Sequence, residues 1–269
     1  MMKQAIIFKG GLGNQMLQYG MYTYCRDVLR NDVCYFYREG DHNGFELDKY
    51  FDVHLQKAPC WMVIFYWLAW RLYKYGICKR FLAKDGDTAR IEKALYINGY
   101  WSNKKYFSHP GFDLQFKQLS LNNSNHDVVQ KMKDQSSIAV HVRRGDYLKP
   151  ENARIFTTLT ADYYNKALEK CRQQLGSEAT VFFFSDDIAW VRQNIEASNA
   201  VYVDWNRGDD SIYDMYLMSL ASANIIANSS FSFWAARLNK RSQLVVYPDN
   251  WYANGAPKKD IFPDSWVAI

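Results

Sequence analysis

Apolar runs separated by polar turns divide the chain into alternating strands and helices. Short apolar runs predict strands at 4–8, 138–142, 180–184, 224–227 and 243–247. Helical spacing of apolar residues predicts helices at about 16–29, 162–175, 212–221 and 231–238. Strands that alternate with helices are typical of a parallel sheet with crossover connections. The pattern therefore predicts an α/β protein.

The polar stretch 122–127 interrupts this pattern near the middle of the chain. It contains Asn and Ser but no apolar residue, which is typical of a linker. We therefore predict two α/β domains, 1–127 and 128–269, with a cleft between them.

Residues 61–70 form an unbroken apolar run, and basic residues follow at 71, 74, 79 and 80. A helix needs about 20 apolar residues to span a bilayer, so this run is too short. Two alternatives stay open. The run is either a core helix or an interfacial helix whose aromatic side chains lie at the level of lipid headgroups.

Composition narrows the function classes. Of the 269 residues, 48% are hydrophobic and 17% aromatic, enough for a packed core. The formal charge of +5 favours anionic small molecules or a membrane surface, but no long Lys/Arg run indicates nucleic acid. Five scattered cysteines without CxxC spacing favour reduced thiols in a cytosolic protein, and residues 1–8 are too short an apolar run for a signal peptide.

A glycine-rich turn follows the first predicted strand. Gly11 and Gly13 lie between that strand and a helix, an arrangement that lets a ligand approach the backbone closely. Met16 replaces the third glycine of the dinucleotide motif, and no Gly-Lys-Ser/Thr follows. NAD and ATP are therefore not predicted, and a tight structural turn is the alternative.

The stretch 139–147 places charged side chains where a buried strand ends. Alternation along the strand puts His141 and Arg143 on one face. Ligands of open α/β sheets bind beyond the carboxyl ends of the strands, and a guanidinium suits a phosphate well. We predict a diphosphate site here. The alternative is a solvated turn held by an internal Arg–Asp pair.

Asp186 and Asp187 follow another buried strand. A carboxylate at this position can accept hydrogen bonds from N1–H and the exocyclic amine of guanine. Binding of Mg²⁺ is a second functional interpretation, and the structural alternative is a helix N-cap.

Ser229 and Ser230 occupy a third such turn, between a strand and a helix. Hydroxyl and backbone N–H groups at a helix start can bind an anion, and ordinary Ser capping is the alternative. Three polar turns are thus predicted at one edge of one sheet. Together they offer the groups that a nucleoside diphosphate requires.

These motifs resemble the α-1,2-fucosyltransferases of glycosyltransferase family eleven, in their shorter bacterial form. The matching segments are 10–16, 45–48, 99–107, 141–147, 184–187 and 227–239, followed by Pro248, Trp251, Asp260, Pro263 and Trp266. The resemblance implies a GT-B-like pair of Rossmann-type domains. It also implies an inverting transfer of L-fucose from GDP-fucose, as co-substrate, to the 2-hydroxyl of a galactoside, without metal or other cofactor.

The resemblance also implies roles for donor-binding residues. Arg143 is expected to hold the diphosphate, and His141 to lie near guanine together with Asp186 or Asp187. Ser230, beside Ser229, is expected to donate to a phosphate.

The reacting groups are less closely specified. The turn at Gly11, Gly13 and Asn14 is expected to face the reaction centre, where Asn14 could orient the acceptor hydroxyl. Candidates for accepting its proton are Asp146, Glu151 and Asp48. Glu151 lies ten residues after His141, as the lone acid of α-1,6 enzymes does. Orienting Arg144 is the alternative role of Asp146.

The acceptor is expected to be a β-galactoside in a surface glycan of O-antigen or capsule type, with a lipid-linked glycan as one candidate. The expected location is the cytoplasm, with peripheral attachment to the inner face of the membrane as an alternative. Two other functions stay open. They are a non-catalytic glycan-binding protein at a membrane surface and a fucosyltransferase of different linkage.

Overall fold

The computed structural model describes residues 3–38, 43–77, 79–256 and 259–269. The chain forms two compact units, the first ending at Lys117 and the second beginning at Gln118. This division falls before the predicted boundary at 127. Cysteines 25, 34, 60 and 171 are free thiols, and Cys78, for which we also predicted a reduced thiol, lies outside the described residues.

Among its described residues, the first unit has four parallel strands and three α-helices. In chain order they are β1 (Lys3–Phe8), α1 (Leu12–Thr23), β2 (Asp32–Tyr37), α2 (Leu47–Tyr50), α3 (Cys60–Lys74), β3 (Leu82–Lys84) and β4 (Tyr96–Asn98). A π-helical segment, Tyr24–Val28, prolongs α1. The strand order is β2-β1-β4-β3, and Ala5 of β1 lies between Cys34 and Tyr96.

Helix α3 contains the apolar run 61–70. Its inner face packs on the sheet through Met62 and Tyr66, its two buried residues, in a cluster with Ala5 and Ile7 of β1. The core-helix alternative therefore holds for one face alone. Among the described residues, no helix is long and apolar enough to cross a membrane.

In the described part of the second unit there are six parallel strands and six α-helices. In chain order they are α4 (Asn123–Asp134), β5 (Ser137–Val142), α5 (Pro150–Ala153), α6 (Ala161–Leu175), β6 (Thr180–Ser185), α7 (Ile188–Asn194), β7 (Ala200–Val203), α8 (Ser211–Met218), β8 (Ala223–Ile225), α9 (Ser230–Leu238), β9 (Leu244–Tyr247) and β10 (Val267–Ala268). The predicted strands and helices of this half are confirmed.

The strand order of this sheet is β10-β9-β8-β5-β6-β7. The chain builds outward from β5 to β7, then returns and builds outward from β8 to β10. This is the order of a doubly wound dinucleotide-binding fold, whose direction changes between β5 and β8. A ligand is expected beyond the carboxyl ends of those two strands.

The linker interpretation of 122–127 is wrong. Asn122 caps α4, since its side chain accepts a hydrogen bond from the backbone N–H of Asn125 at 2.8 Å. Val128, Val129 and Met132 then bury one face of that helix. Asn and Ser favour turns and helix caps alike, and here the cap is formed because an apolar face follows.

Burial fixes the register of β5. All six of its residues are buried, and Val140 and Val142 pack in one cluster with Tyr164 and Leu168 of α6. The alternate residue His141 is thereby placed on the opposite face of the sheet. Packing of this apolar face fixes the strand, and the polar residues that follow it therefore lie at its carboxyl end.

Candidate functional site

Three polar turns lie side by side at the carboxyl edge of the second sheet. They follow β8, β5 and β6, which are consecutive in the sheet. The predicted convergence of these turns on one edge is therefore confirmed. The pair formed by β8 and β5 flanks the point at which the sheet changes direction.

Arg143 lies at the centre of this edge and forms two ion pairs. Its Nη2 is 2.7 Å from Oδ1 of Asp146, and its Nη1 is 3.1 Å from Oδ2 of Asp186. The side chain is 32% exposed, so a ligand can reach it. The internal Arg–Asp pair of the structural alternative is present, and the second ion pair joins the turn after β5 to the turn after β6.

Asp186 holds the turn after β5 in place. Its Oδ1 accepts a hydrogen bond from the backbone N–H of Arg144 at 2.9 Å, while its Oδ2 faces Arg143. Gly145 approaches so closely that a Cβ atom there would lie 2.8 Å from Oδ2 of Asp186. A glycine at 145 is thus required by the position of the carboxylate. Whether Asp186 binds guanine stays a prediction.

Arg144 points toward α7 instead of toward Asp146. Its guanidinium lies 3.9 Å from the ring centroid of Trp190, and its Nε is 3.5 Å from Oδ2 of Asp187. The suggestion that Asp146 orients Arg144 is therefore wrong. Asp146 is three residues from Arg143 in a 3-10 turn, and this spacing brings their side chains together.

Asp187 is the N-cap of α7. Its Oδ1 accepts a hydrogen bond from the backbone N–H of Trp190 at 3.1 Å. The structural alternative for Asp187 is thus observed. Within the described ranges, no group of three or more His, Cys, Asp or Glu residues is placed to hold a metal ion.

Charges at this edge are nearly balanced. Arg143 and Arg144 face three carboxylates, those of Asp146, Asp186 and Asp187. Any anion that binds Arg143 must therefore compete with these carboxylates for its guanidinium. The network holds that guanidinium at the strand end, so a group able to bind an anion is preorganised there.

His141 is buried beneath these charged residues and is 7% exposed. Burial, with the nearby charge of Arg143 as a smaller cause, lowers its pKa to about 3. The imidazole is therefore neutral at neutral pH. Its ring lies 5.9 Å from that of Phe231 in α9, and its Nδ1 has no hydrogen-bond partner among the described residues.

Asn228 is a site residue that the sequence analysis did not single out. Its Nδ2 donates to the carbonyl oxygens of Thr157 and Trp251, and its backbone carbonyl accepts from the hydroxyl of Tyr147 at 2.9 Å. Its buried Oδ1 has no partner within the described part of the chain. A polar atom is thus available on each side of the switch point, at His141 and Asn228. The buried and unpartnered Oδ1 was the missing signal for Asn228, and the sequence does not reveal it.

Ser229 caps α9. Its Oγ accepts a hydrogen bond from the backbone N–H of Phe231 at 3.3 Å, as in the structural alternative. Ser230 is the first residue of the helix and is half-buried. Glu151 lies on the short helix α5 and is exposed to solvent.

The glycine-rich turn belongs to the first unit. Gly10 has φ of +75° and is the residue that requires glycine, while Gly11 is the N-cap of α1 and Gly13 is buried within it. A Cβ atom at Gly10 would lie 3.0 Å from Nδ2 of Asn14. Gln15 fixes the turn, since its Nε2 donates to the carbonyl oxygen of Gly10 at 2.9 Å. The tight structural turn is therefore present, and a role of this turn in ligand binding stays a prediction.

Comparison with known proteins identifies the family of this chain. Residues 6–269 match the family described as Glycosyl transferase family 11. The chain belongs to glycosyltransferase family 11. An Escherichia coli alpha-1,2-colitosyltransferase is 31% identical over 97% of this chain and 96% of its own length. The O-antigen biosynthesis glycosyltransferase WbnK of Escherichia coli is 35% identical over 60% of this chain and 54% of its own length.

A solved structure shows the same fold as this family 11 glycosyltransferase. NodZ alpha-1,6-fucosyltransferase, soaked with GDP-fucose, matches with a TM-score of 0.52 over 92% of this chain and 95% of its own. The sequence identity is 14%. The predicted GT-B-like α/β fold with parallel sheets is therefore confirmed.

Proposed function

We propose that this glycosyltransferase transfers L-fucose from GDP-fucose to the 2-hydroxyl of a β-galactoside in a surface glycan of O-antigen type. The observation that carries the proposal is the position of Arg143 beside the switch point of the second sheet. Membership of family 11 and the similarity to WbnK support the reaction class and the glycan. Neither determines the donor or the linkage.

Arg143 would stabilise the leaving group. As the bond between fucose and the β-phosphate oxygen breaks, negative charge develops on GDP. A preorganised guanidinium stabilises that charge directly. Arg143 is held by two carboxylates yet is 32% exposed, so its fork of donors can turn from a carboxylate to the phosphate. The reaction then needs no metal ion for this role.

The remaining residues of the edge would bind the nucleotide. His141 is neutral, so it offers a hydrogen bond and not a charge to the base. Oδ1 of Asn228 is a further buried polar atom without a partner among the described residues, and it lies on the β8 side of the switch point. Ser230 is the first residue of α9, and it would donate to a phosphate together with backbone N–H groups of the first turn.

The acceptor hydroxyl would attack the anomeric carbon from the side opposite GDP, with inversion. Its proton leaves as the new bond forms. Asp146 is paired with Arg143 at 2.7 Å, which favours a positioning role over a basic one. Glu151 is exposed and becomes the stronger candidate for the base among the carboxylates of the second unit. Asn14 would orient the hydroxyl.

Transfer of colitose is a second candidate function. It is favoured by the 31% identity to an alpha-1,2-colitosyltransferase over nearly the whole chain. Colitose is L-fucose without its 3-hydroxyl group. GDP-fucose and GDP-colitose carry the same nucleotide. The edge around Arg143 would bind that nucleotide in either donor, so it does not distinguish the two sugars.

An assay with each donor in turn separates these candidates. Purified protein is incubated with either GDP-fucose or GDP-colitose and a panel of β-galactosides, with and without EDTA. The products are identified by mass and linkage analysis. We expect α-1,2-linked fucose in both EDTA conditions. A product from GDP-colitose alone would establish the second candidate. Loss of activity in EDTA that Mg²⁺ or Mn²⁺ restores would refute the metal-independent mechanism.

Failure with both donors would refute both candidates. Arg143→Ala is the matched low-activity control, because it removes the guanidinium that is proposed to bind the diphosphate. Binding of a galactoside without any transfer would favour the non-catalytic alternative. A fucosylated product of another linkage would correct the acceptor position alone.

A further inference from the structure

The outer face of α3 is an apolar stripe that no other part of the described structure covers. Trp61, Ile64, Phe65 and Leu68 are 53%, 70%, 55% and 52% exposed. Their spacing of three and four residues places them on one side of the helix. The opposite side, with Met62 and Tyr66, is buried on the sheet. The helix is therefore apolar on both sides.

Such a stripe is unusual on a soluble surface. Single exposed apolar side chains are ordinary, whereas contiguous patches mark interaction sites. The patch continues beyond the helix, since Tyr75 and Ile77 are 72% and 53% exposed. Burying this much aromatic and aliphatic surface against a partner is favourable, because it removes apolar area from water.

Charge around the helix identifies the kind of partner. Residues 53–84 contain no Asp or Glu, and they contain six basic residues, namely Lys57, Arg71, Lys74, Lys79, Arg80 and Lys84. The whole chain has a formal charge of +5, so the rest of it is close to neutral. The positive charge of the protein is therefore concentrated in the segment that carries the apolar stripe.

Cations also lie against the aromatic rings of α3. Arg38 is 5.5 Å from the ring centroid of Trp67, and Lys74 is 5.6 Å from that of Trp70. Lys84 is 4.4 Å from the ring centroids of both Trp70 and Tyr73. Trp70 and Tyr73 pack against the buried cluster on the sheet side of α3, so Lys74 and Lys84 flank the helix and do not lie on the apolar stripe itself. Apolar and aromatic side chains beside basic residues are typical of helices that lie in the interface of an anionic bilayer.

We propose that α3 binds an anionic membrane surface. Its 15 residues lie parallel to the bilayer, with the apolar stripe among the acyl chains and the basic residues against lipid phosphates. The helix is too short to span a bilayer. Helix α3 belongs to the first unit and Arg143 to the second, and the inference does not depend on the sugar that is transferred.

Vesicle flotation tests this inference with the full chain. Vesicles of phosphatidylcholine alone are compared with vesicles that also contain phosphatidylglycerol, at low and high salt. We expect binding to the anionic vesicles, weakened by salt because screening reduces attraction to the lipid charges. Equal binding to both vesicle types, or binding to neither, would overturn the proposal.

Two variants probe the two components of the surface. Arg71→Gln/Lys74→Gln should weaken binding on the order of 25-fold, from about fivefold for each basic residue near the surface. Its control is Lys131→Gln/Lys133→Gln on α4, which removes the same charge elsewhere. Ile64→Ser/Phe65→Ser should weaken binding at least about tenfold. Its control is Ile155→Ser, at a position that is 52% exposed.

The outcomes separate a membrane from a second copy of the chain. Both α3 variants should bind vesicles more weakly by these factors while their circular dichroism and thermal unfolding stay unchanged, and both controls should bind normally. Unchanged binding of the α3 variants would overturn the proposal. A second outcome would also overturn it. In that outcome the wild type does not bind vesicles but is a dimer by light scattering, and Ile64→Ser/Phe65→Ser dissociates the dimer.

Discussion

Lowering the pH should destabilise the protein through His141. Burial and the charge of Arg143 lower the pKa of this imidazole to about 3. In the unfolded chain a histidine has a pKa of about 6.5. Between these values the unfolded state binds a proton that the folded state does not. The free energy of unfolding therefore falls as the pH falls through this window.

The size of the effect follows from the two pKa values. At about pH 5 the linkage costs about 2 kcal/mol relative to pH 8, and it levels off near 5 kcal/mol below the folded pKa of about 3. Asp214 acts in the opposite direction. Its burial raises its pKa to about 7, so the folded state binds a proton more readily and gains stability as the pH falls below that value.

The assay must separate these two groups. Urea unfolding of the wild type and of His141→Gln, from about pH 8 to about pH 5, keeps Asp214 in both proteins, so its effect cancels in the difference. We expect the wild type to lose about 2 kcal/mol more than the variant across this range. A constant difference between the two proteins would show that His141 is not buried as a neutral group.

Three further predictions concern the network around Arg143. Gly145→Ala places a Cβ atom 2.8 Å from Oδ2 of Asp186 and should displace that carboxylate. We expect GDP affinity, measured by calorimetry, to fall roughly tenfold. Wild-type affinity in this variant would refute the close approach. Arg143→Ala should lower kcat roughly 10²-fold in the transfer assay, whereas near-normal turnover would contradict the diphosphate role. Asp187→Ala should cost about 1 kcal/mol in urea unfolding, as loss of a helix cap does, with little change in GDP affinity. A large loss of affinity in that variant would instead favour a base-binding role for Asp187.

The main strands could be predicted because burial and alternation leave a clear pattern in the sequence. Residues 138–142 and 180–184 are apolar runs between polar turns, and β5 and β6 include them within one residue at each end. The polar groups after β5, β6 and β8 also mark the candidate site in the sequence. Parallel strands bring these groups to one edge by topology alone.

Other features depend on tertiary structure that the pattern does not encode. Strand β7 was not predicted because Ala200–Val203 is short and three of its four residues are only half-buried. The pairing of Asp146 with Arg143 depends on a 3-10 turn, and two adjacent arginines offer the acid equivalent partners in sequence. The stretch 122–127 was misassigned because cap and linker residues are the same types.

The role of Asn228 illustrates a further limit. An asparagine between a strand and a serine pair is ordinary in sequence. Only the structure shows that its Nδ2 is used twice by backbone carbonyls while its buried Oδ1 has no partner among the described residues. Hydrogen-bond satisfaction is a property of the folded neighbourhood, so it becomes visible after the fold is known.

Calorimetric titration of GDP and UDP into the wild type and Arg143→Ala tests the central claim most directly. The claim is that the carboxyl edge at β8, β5 and β6 binds a guanosine diphosphate through Arg143. We predict saturable binding of GDP, weaker binding of UDP, and at least a tenfold loss of GDP affinity in a folded Arg143→Ala protein. Absence of GDP binding, or equal GDP affinity in the two proteins, would contradict the account.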